Sequence, residues 1–533
     1  MDFVWGRMSN VTKVLAVLCL LSNISHVGGV PSARAMQCCA EIAGKTRLII
    51  QSWPTSQFNT DYAHAKSHYW SSANTDGTPA CVVFPRNAPD VSAIIQVLLR
   101  YPDVGFATKS GGHNPNVGFA SSDGGVLISM SQLSTTTLSS DQTQAYLSPG
   151  ATWMDAVGAL EPYNLTIVGG RVGDVGVGGL LVGCGLSFLS AQYGLPCDNI
   201  NSYEIVLSNS AIVNANANEN PDLFWALKGG GNQFGIVTRF TVNTVPIGLV
   251  WGGVRTYTRY VAPQILAATQ NFTENFPDPR AAIIVTFQTL VNTLDQFFAI
   301  FFFYNGPIVP RGVFDAFNVI LSTGDSVKTQ SYSSLLIANA NFGSIYGLRY
   351  DLRGATIPNL SAPNGTDLVV ANFNNFVSYA TSRGLTGLLQ PGFILNFIYQ
   401  PVPNAIPAAS ARVNPLGNIL GLSPDNGDHM WMAVTVSWLT KLGDTDAYRV
   451  ATEIMDNVVK YTKQTYPGLQ GSNFKTGLAD DGYQPRTFMN DAMADQKVLQ
   501  GYGNDTYARL KSVQKTYDQI GFFPSRTNGF KLD

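Results

Sequence analysis

"KSGGHNPNVG", Lys109 to Gly118, decides how this chain is read. It holds His113, one of five histidines in 533 residues, behind two glycines and ahead of a proline. The preceding "VGFATKS" reads as a strand that runs into this loop. Two more segments share its character: Gly169–Gly179, inside "LTIVGGRVGDVGVGGLLVGCG", and Gly229–Gly231, inside "PDLFWALKGGGNQFGIVTRFTV". Glycine lets backbone amides point at an anion and removes the Cβ that would block close approach. None of the three is a Walker loop, because the Lys-Ser/Thr ending is absent, and none is a dinucleotide fingerprint at a first strand–helix turn. Three such loops together point to ligand binding rather than to tight turns alone.

Around these loops, residues 82–250 alternate short strands, helices and turns. "NAPDVSAIIQVLLRYP" predicts a helix with Asp90 in its first turn and a stop at Pro102. "TWMDAVGAL" predicts another, started by Thr152 and Asp155 in a capping-box-like pattern. "YEIVLSNSAIVNA" predicts a hairpin turning at Asn209 and Ser210. Past Pro246 the texture changes to long strands with aromatic alternation: "VWGGVRTYTRY", "AAIIVTFQTL", "FFAIFFFYNG", "GFILNFIYQPVP" and "MWMAVTVSWL". Helical stretches lie between them, which predicts an α+β layer, an antiparallel sheet with helices on one face. The final residues return to short elements, closing with a helix in "DTYARLKSVQKTYDQ" that stops at Gly521.

Hydrophobic residues are 45% and charged residues 13% of the chain, a globular composition. Net charge is −2 with no basic stripe, which argues against nucleic acid as a partner. The apolar run Val14–Ser22, behind Arg7 and Lys13 and ahead of Ala33–Ala35, predicts a cleaved signal peptide over residues 1–35. That run is too short to cross a bilayer, and no later run reaches about 18 apolar residues, so no membrane span is expected. A secreted or secretory-pathway glycoprotein follows as an expectation, with sequons at Asn164, Asn271, Asn359, Asn364 and Asn504 on exposed loops. After loss of Cys19, the cysteines are Cys38, Cys39, Cys81, Cys184 and Cys197. An odd number leaves at least one thiol free or paired outside the chain, and Cys38 or Cys39 is spaced to bridge to Cys81. His64 and His68 stand four apart, as on one helix face, but further metal ligands are absent and a packing role is expected.

"KSGGHNPNVG" resembles the covalent flavin loop of the berberine-bridge-enzyme-like oxidases, within the wider family that carries the vanillyl-alcohol-oxidase, or PCMH, type of FAD domain. "IVGGRVGDVGVGGLLVGCGLSFLSAQYGLPCDNI" resembles that family's second glycine segment, and "DLFWALKGGGNQFGIVTRF" its FWA…GGG…FGIVT signature. The tail "FMNDAMADQ…YGNDTYARLKSVQKTYD" is similar to its C-terminal berberine-bridge segment. The resemblance covers roughly residues 75–250 and 480–533, in order. It implies a two-subdomain FAD-binding domain over 36–248 with a PCMH-type core at 76–247. It further implies a substrate domain over 249–474 and a C-terminal segment, 475–533, that returns to the first domain.

The cofactor implied is FAD, bound through Ser110, Gly111, Gly112, His113, Asn114, Gly170, Val175, Gly176, Gly178, Gly179, Gly185, Val237 and Asn490. His113 is the family's 8α-linked histidine. The cysteine of the second linkage, found in some members, falls on Val172, so a single covalent bond is expected. Val175 falls on the position associated with oxygen access, and its small side chain resembles the oxidase members. The activity implied is hydride removal from a small organic substrate, by alcohol oxidation or oxidative cyclisation in specialised-metabolite biosynthesis, with O2 as acceptor and H2O2 as product. An oligosaccharide oxidase and a flavin-bound non-redox cyclase or isomerase stand as alternatives. A monomer is expected. Family members carry the base on a substrate-domain strand, here "GFILNFIYQPVP". Period two sets Asn396, Ile398 and Gln400 on one face and Leu395, Phe397 and Tyr399 on the other. The strand has no carboxylate, which leaves Tyr399, a base from another loop, or chemistry with little proton removal; Asn396 and Gln400 complete the candidate catalytic set.

Overall fold

The computed structural model describes residues 31–46, 50–52, 60–290, 295–381, 393–466 and 486–532. The apolar leader and the first residues of the C-terminal segment, 475–485, lie outside the described residues. Three sheets organise the described chain. The first joins β1 (Ile50–Ser52), β2 (Cys81–Val83), β3 (Phe106–Lys109) and β4 (Val126–Ser129) in the order β1-β2-β4-β3. β4 runs parallel to both β2 and β3, so β2 reaches β3 through a crossover made by the helix Ala88–Leu98. That helix starts where expected: the Asn87 side chain accepts the Asp90 N–H at 2.9 Å, a cap worth about 1 kcal/mol.

The second sheet contains β5 (Thr136–Leu138), β6 (Gln144–Leu147), β7 (Leu165–Ile167), β8 (Ile200–Val206), β9 (Ile212–Asn216) and β10 (Ile236–Pro246). Its order is β5-β6-β10-β8-β9 with β7 also on β10, and every pairing is antiparallel. The β8–β9 hairpin turns through Ser210 at φ 68°, as the Asn209–Ser210 reading expects. The glycine loops leave these two sheets: one follows β3, the second follows β7, and the third precedes β10.

The third sheet is built from β11 (Val250–Thr258), β12 (Ala281–Leu290), β13 (Asp295–Tyr304), β14 (Gly324–Asp325), β15 (Lys328–Gln330), β16 (Arg349–Pro358), β17 (Ile394–Val402) and β18 (His429–Trp438). Its order is β14-β11-β13-β12-β17-β18-β16, all antiparallel, with β15 beside β11. One face packs Phe287, Phe298, Phe302, Phe397 and Val434 against the helices Ala262–Glu274, Asn364–Tyr379 and Asp444–Thr465. Each such phenylalanine contributes about 1.5–3 kcal/mol by burial. "FFAIFFFY" is a core strand: Phe298, Ile300, Phe302 and Tyr304 serve this layer, and Phe303 faces the core of the second sheet.

β16 was not expected as a strand, because its sequence "RYDLRGATIP" alternates charges where a core strand alternates apolar groups. Those charges are paired. Arg349 binds both Asp76 and Asp444, and Arg353 binds Asp351 and Asp495. Cys39 bridges to Cys81, tying the helix Ala33–Thr46 to β2, and Cys184 bridges to Cys197; Cys38 is the free, buried thiol. The Ser32 Oγ accepts the Ala35 N–H at 3.1 Å, and Ala35 is buried in the core of the first sheet. The helix begins at Ala33, two residues ahead of the boundary expected at residue 35. Asn164, Asn271, Asn364 and Asn504 are exposed, but Asn359 is not: it is buried, and its Nδ2 donates to the Gln270 carbonyl at 3.3 Å. Among the described residues, no helix is long and apolar enough to cross a membrane.

Candidate active site

The glycine loops after β3 and β7 touch backbone to backbone. A Cβ on Gly111 would lie 2.6 Å from the Gly176 nitrogen, and one on Gly176 would lie 2.5 Å from the Ser110 Oγ. Ser110 locks the junction, since its hydroxyl donates to the Pro149 carbonyl at 2.5 Å and accepts the Gly178 N–H at 3.2 Å. Gly112 sits at φ +72°, where an L side chain is strained, and its carbonyl accepts the Trp70 N–H at 3.1 Å. Beneath the joined loops opens a cavity of about 380 Å³.

Every glycine-loop residue expected at the cofactor borders this cavity except Gly170 and Gly185, and Val172, Val237 and Asn490 border it too. Gly170 lies elsewhere: it makes room for the Trp153 indole, which a Cβ would strike. Gly185 acts one step back, donating its N–H to the Asn490 Oδ1 at 3.1 Å. The Asn490 amide in turn donates to the carbonyls of Gly179 and Leu180, both at 3.3 Å, and so ties the C-terminal segment to the second glycine loop.

The His113 ring is half-buried at the end of an aromatic stack. Trp70 stacks on it with centroids 4.6 Å apart and planes 9° from parallel, and Tyr350 stacks on the other side of Trp70 at 4.0 Å. The His113 Nε2 is buried with no hydrogen-bond partner among the described residues. Burial pulls its pKa below the ordinary value, against the opposing charge of Asp174, so the ring is neutral and one nitrogen lone pair is available. Asp174 is itself fixed by the Ser344 hydroxyl at 3.0 Å and the Tyr346 hydroxyl at 2.8 Å. His64 and His68 do share a face, stacked at 4.6 Å, and the stack continues to Tyr346. No group of three or more metal-ligating side chains occurs among the described residues.

The third sheet closes the opposite side with the face that carries Asn396, Ile398 and Gln400. Tyr399 is corrected: it points away, fully buried under the helices, and its hydroxyl donates to the Val369 carbonyl at 3.1 Å. Period two forces this, because Leu395 and Phe397, on the same face, carry the helix-covered core. Asn396 does not border the cavity; its amide joins Gln288 at 2.9 Å and Thr435 at 2.7 Å, knitting three strands together. Gln400 does reach the site. Its Nε2 donates to the Asp491 Oδ2 at 2.6 Å, and its Oε1 accepts from the Arg171 guanidinium. Arg171 and Asp491 both border the cavity. Burial pushes Arg171 down to about 10 and Asp491 upward, each opposed by the other's charge.

Sequence reasoning missed Trp70, Arg171 and Asp491. Arg171 is the single cation of the second glycine segment, Asp491 follows Asn490 in "FMNDA", and Trp70 stands two residues after His68. For Arg171 and Asp491, a charge in a glycine-rich or apolar stretch was the available signal.

These features fit FAD. Side-chain-free backbone forms a cradle that a Cβ would fill, and the neutral imidazole of His113 borders it. The comparisons agree. The FAD binding domain family matches residues 79–216. An uncharacterized FAD-linked oxidoreductase of Arthroderma benhamiae is 34% identical over 480 residues, 89% of this chain and 91% of the relative. The FAD-dependent monooxygenase drtC of Aspergillus calidoustus is 31% identical over 483 residues, 89% and 86% of the two chains. In fold, the chain is similar to 6-hydroxy-D-nicotine oxidase of Arthrobacter nicotinovorans, with a TM-score of 0.70 at 19% identity over 91% of this chain and 98% of that one. A glucooligosaccharide oxidase of Acremonium strictum gives 0.70 at 18% over 95% and 99%, and berberine bridge enzyme 0.69 at 14% over 94% and 100%. With the FAD cradle and full-length relatives in agreement, this chain belongs to the FAD-linked oxidoreductases, and its fold is that of berberine bridge enzyme.

Proposed function

We propose that this oxidoreductase oxidises a small, largely apolar alcohol, in a simple oxidation or an oxidative ring closure, and passes the electrons to O2 to give H2O2. The observation that carries the reading is the pairing of two walls across one cavity. One wall is the glycine cradle with His113; the other carries Arg171 and Asp491 among Leu352, Ile284 and Phe488. When bound, FAD supplies a two-electron hydride acceptor. His113 holds it by a single covalent bond, with Trp70 fixing the ring. A second bond is not available from Val172, although the glucooligosaccharide oxidase of Acremonium strictum carries both cysteinyl and histidyl links. The apolar walls strip water from the substrate and strengthen the field of the two charged groups. An apolar wall disfavours the sugar-oxidase alternative, whose substrate is covered in hydroxyls.

The naming of several relatives as FAD-dependent monooxygenases favours a second reading, in which an oxygen atom enters the product. Anaerobic mixing with a panel of benzylic, allylic and aliphatic alcohols, phenols and oligosaccharides, followed by aerobic turnover under isotopic O2, tests both. The alcohol reading expects bleaching of the flavin by alcohols, one H2O2 per carbonyl formed, and no label in the product from isotopic O2. Label in the product would establish oxygen insertion, and a flavin reduced by none of the panel would favour a non-redox cyclase or isomerase. Yellow colour that leaves the wild type on acid precipitation, or that survives acid precipitation in a His113→Ala variant, would remove the covalent link through His113. Secretion is proposed alongside, supported by two disulfides and four exposed sequons, with the mature start no later than Ser32.

A further inference from the structure

We propose that Asp491, held by Gln400 and Arg171, is the catalytic base that takes the substrate's hydroxyl proton; this rests on the alcohol-oxidation reading above. Asp491 is the one carboxylate among the described residues bordering the cavity, where the other ionisable groups are His113 and Arg171. Arg171 cannot accept a proton, and His113 is assigned to the cofactor.

The geometry leaves one carboxylate oxygen for work. The Gln400 amide is engaged at both ends, by the Arg171 guanidinium at Oε1 and by the Asp491 Oδ2 at 2.6 Å from Nε2. A flipped amide would set donor against donor and acceptor against acceptor, so its orientation is fixed. Asp491 Oδ2 is thereby occupied, and Oδ1 accepts no hydrogen bond from the described residues while its residue borders the cavity. The backbone is equally constrained. Asp491 donates its N–H to the Phe488 carbonyl at 2.9 Å, and its own carbonyl lies so close to Gly354 of β16 that a Cβ there would come within 2.7 Å. Gln496 clamps the same segment to Gly354 through both its carbonyl and its N–H, at 2.8 Å and 3.3 Å. Burial raises the basicity of the carboxyl above the ordinary carboxylate value, opposed by the Gln400 hydrogen bond and then by the charge of Arg171. Phe488, stacked on Trp431 at 4.1 Å, suits the apolar or aromatic body of the alcohol.

In the step, the substrate O–H and C–H bonds break and a C=O bond forms. The proton goes to Asp491 Oδ1, and the hydride leaves the carbon with both electrons for the oxidised cofactor of this family. Gln400 and Arg171 are positioning residues: they aim Oδ1 and hold the carboxylate charge.

The test uses the holoenzyme and the alcohol of the panel that reduces wild type fastest. Asp491→Asn is expected to slow anaerobic reduction by about 10²–10⁴-fold and to abolish the acid limb of the pH profile, with partial recovery in Asp491→Glu. Independently of turnover, infrared difference spectra against Asp491→Asn are expected to show a carboxyl C=O band in wild type that titrates above the ordinary carboxylate range. In Gln400→Leu, which removes the tie to Arg171, that midpoint moves higher. Should Asp491→Asn lose its flavin, Asp491→Glu and Gln400→Leu carry the test through the shift of the pH limb. Wild-type rates in Asp491→Asn, or an acid limb that neither Asp491→Glu nor Gln400→Leu moves, overturn the assignment while the alcohol reading stands. A wild type that no alcohol reduces overturns the alcohol reading and the base with it.

Discussion

Gly176→Ala tests whether contact between the two glycine loops builds the cofactor site. The new Cβ would lie 2.5 Å from the Ser110 Oγ and 2.7 Å from the Gly111 Cα, roughly 0.7–0.9 Å short of ordinary contact. Rotation cannot relieve this. Gly111 offers only backbone, and Ser110 would have to give up both the Pro149 carbonyl and the Gly178 N–H. The loops must separate, at an overpacking cost of about 1–3 kcal/mol. That separation carries the His113 loop away from the Gly178 loop, so the cost appears in FAD affinity as a loss of about 5- to 150-fold. The assay is FAD titration by fluorescence in a His113→Ala background, where no tether masks the affinity. Gly158→Ala is the control: its Cβ meets nothing within 4 Å, and its helix Trp153–Leu160 gains up to about 1 kcal/mol. If Gly176→Ala in that background binds FAD as tightly as His113→Ala alone, the packing argument for the site fails.

Three other outcomes are expected. Burial raises the Cys38 thiol to about 11, which leaves about 1 in 10⁴ as thiolate at pH 7, so iodoacetamide labels it only after unfolding; rapid native labelling on peptide mapping would contradict this. His429 is buried and held neutral, its pKa pushed down to about 4. The unfolded chain binds the extra proton between about pH 4 and 6.5, so stability is complete above 6.5 and falls by about 3 kcal/mol as pH drops through that window. His429→Leu should flatten the slope of urea midpoint against pH by one proton in that interval, and an unchanged slope would refute it. Glycopeptide mapping of secreted protein should find glycan on some of Asn164, Asn271, Asn364 and Asn504, and none on Asn359, whose amide is spent inside the fold.

The parts legible in the sequence were those written in local patterns. Glycine loops, the Asn87 and Thr152 helix starts, the β8–β9 turn and the aromatic strands of the third sheet all depend on residues within a few positions of one another. β16 escaped because its charges are satisfied by Asp76, Asp444 and Asp495, partners far away in the chain. Tyr399 was misread for a related reason. Alternation divides β17 into two faces but does not say which one the helices cover, and that is decided by how Phe287, Phe397 and Val434 meet three helices. Gly170 and Gly185 share the look of ligand-binding glycines, yet one makes room for Trp153 and the other orients Asn490. Glycine spacing marks close approach without saying to what.

The same distinction explains where the acid group sits. The sheet face above the cavity is apolar around Ile284, Leu352 and Ile398, and an unpaired carboxylate on a middle strand there would be costly to bury. The chain places an amide, Gln400, on the strand and brings the carboxylate from the C-terminal turn Met489–Asp491. The amide joins that carboxylate to Arg171 of the second glycine loop, so charges from two distant segments meet through a neutral group on a third. The arrangement depends on Gly354, whose missing side chain lets the Asp491 carbonyl approach β16. A search for a base along one strand therefore could not succeed. β17 contributes the bridge, and the ionisable groups come from the two segments that also hold the cofactor cradle, through Arg171 beside Val172 and Asp491 beside Asn490.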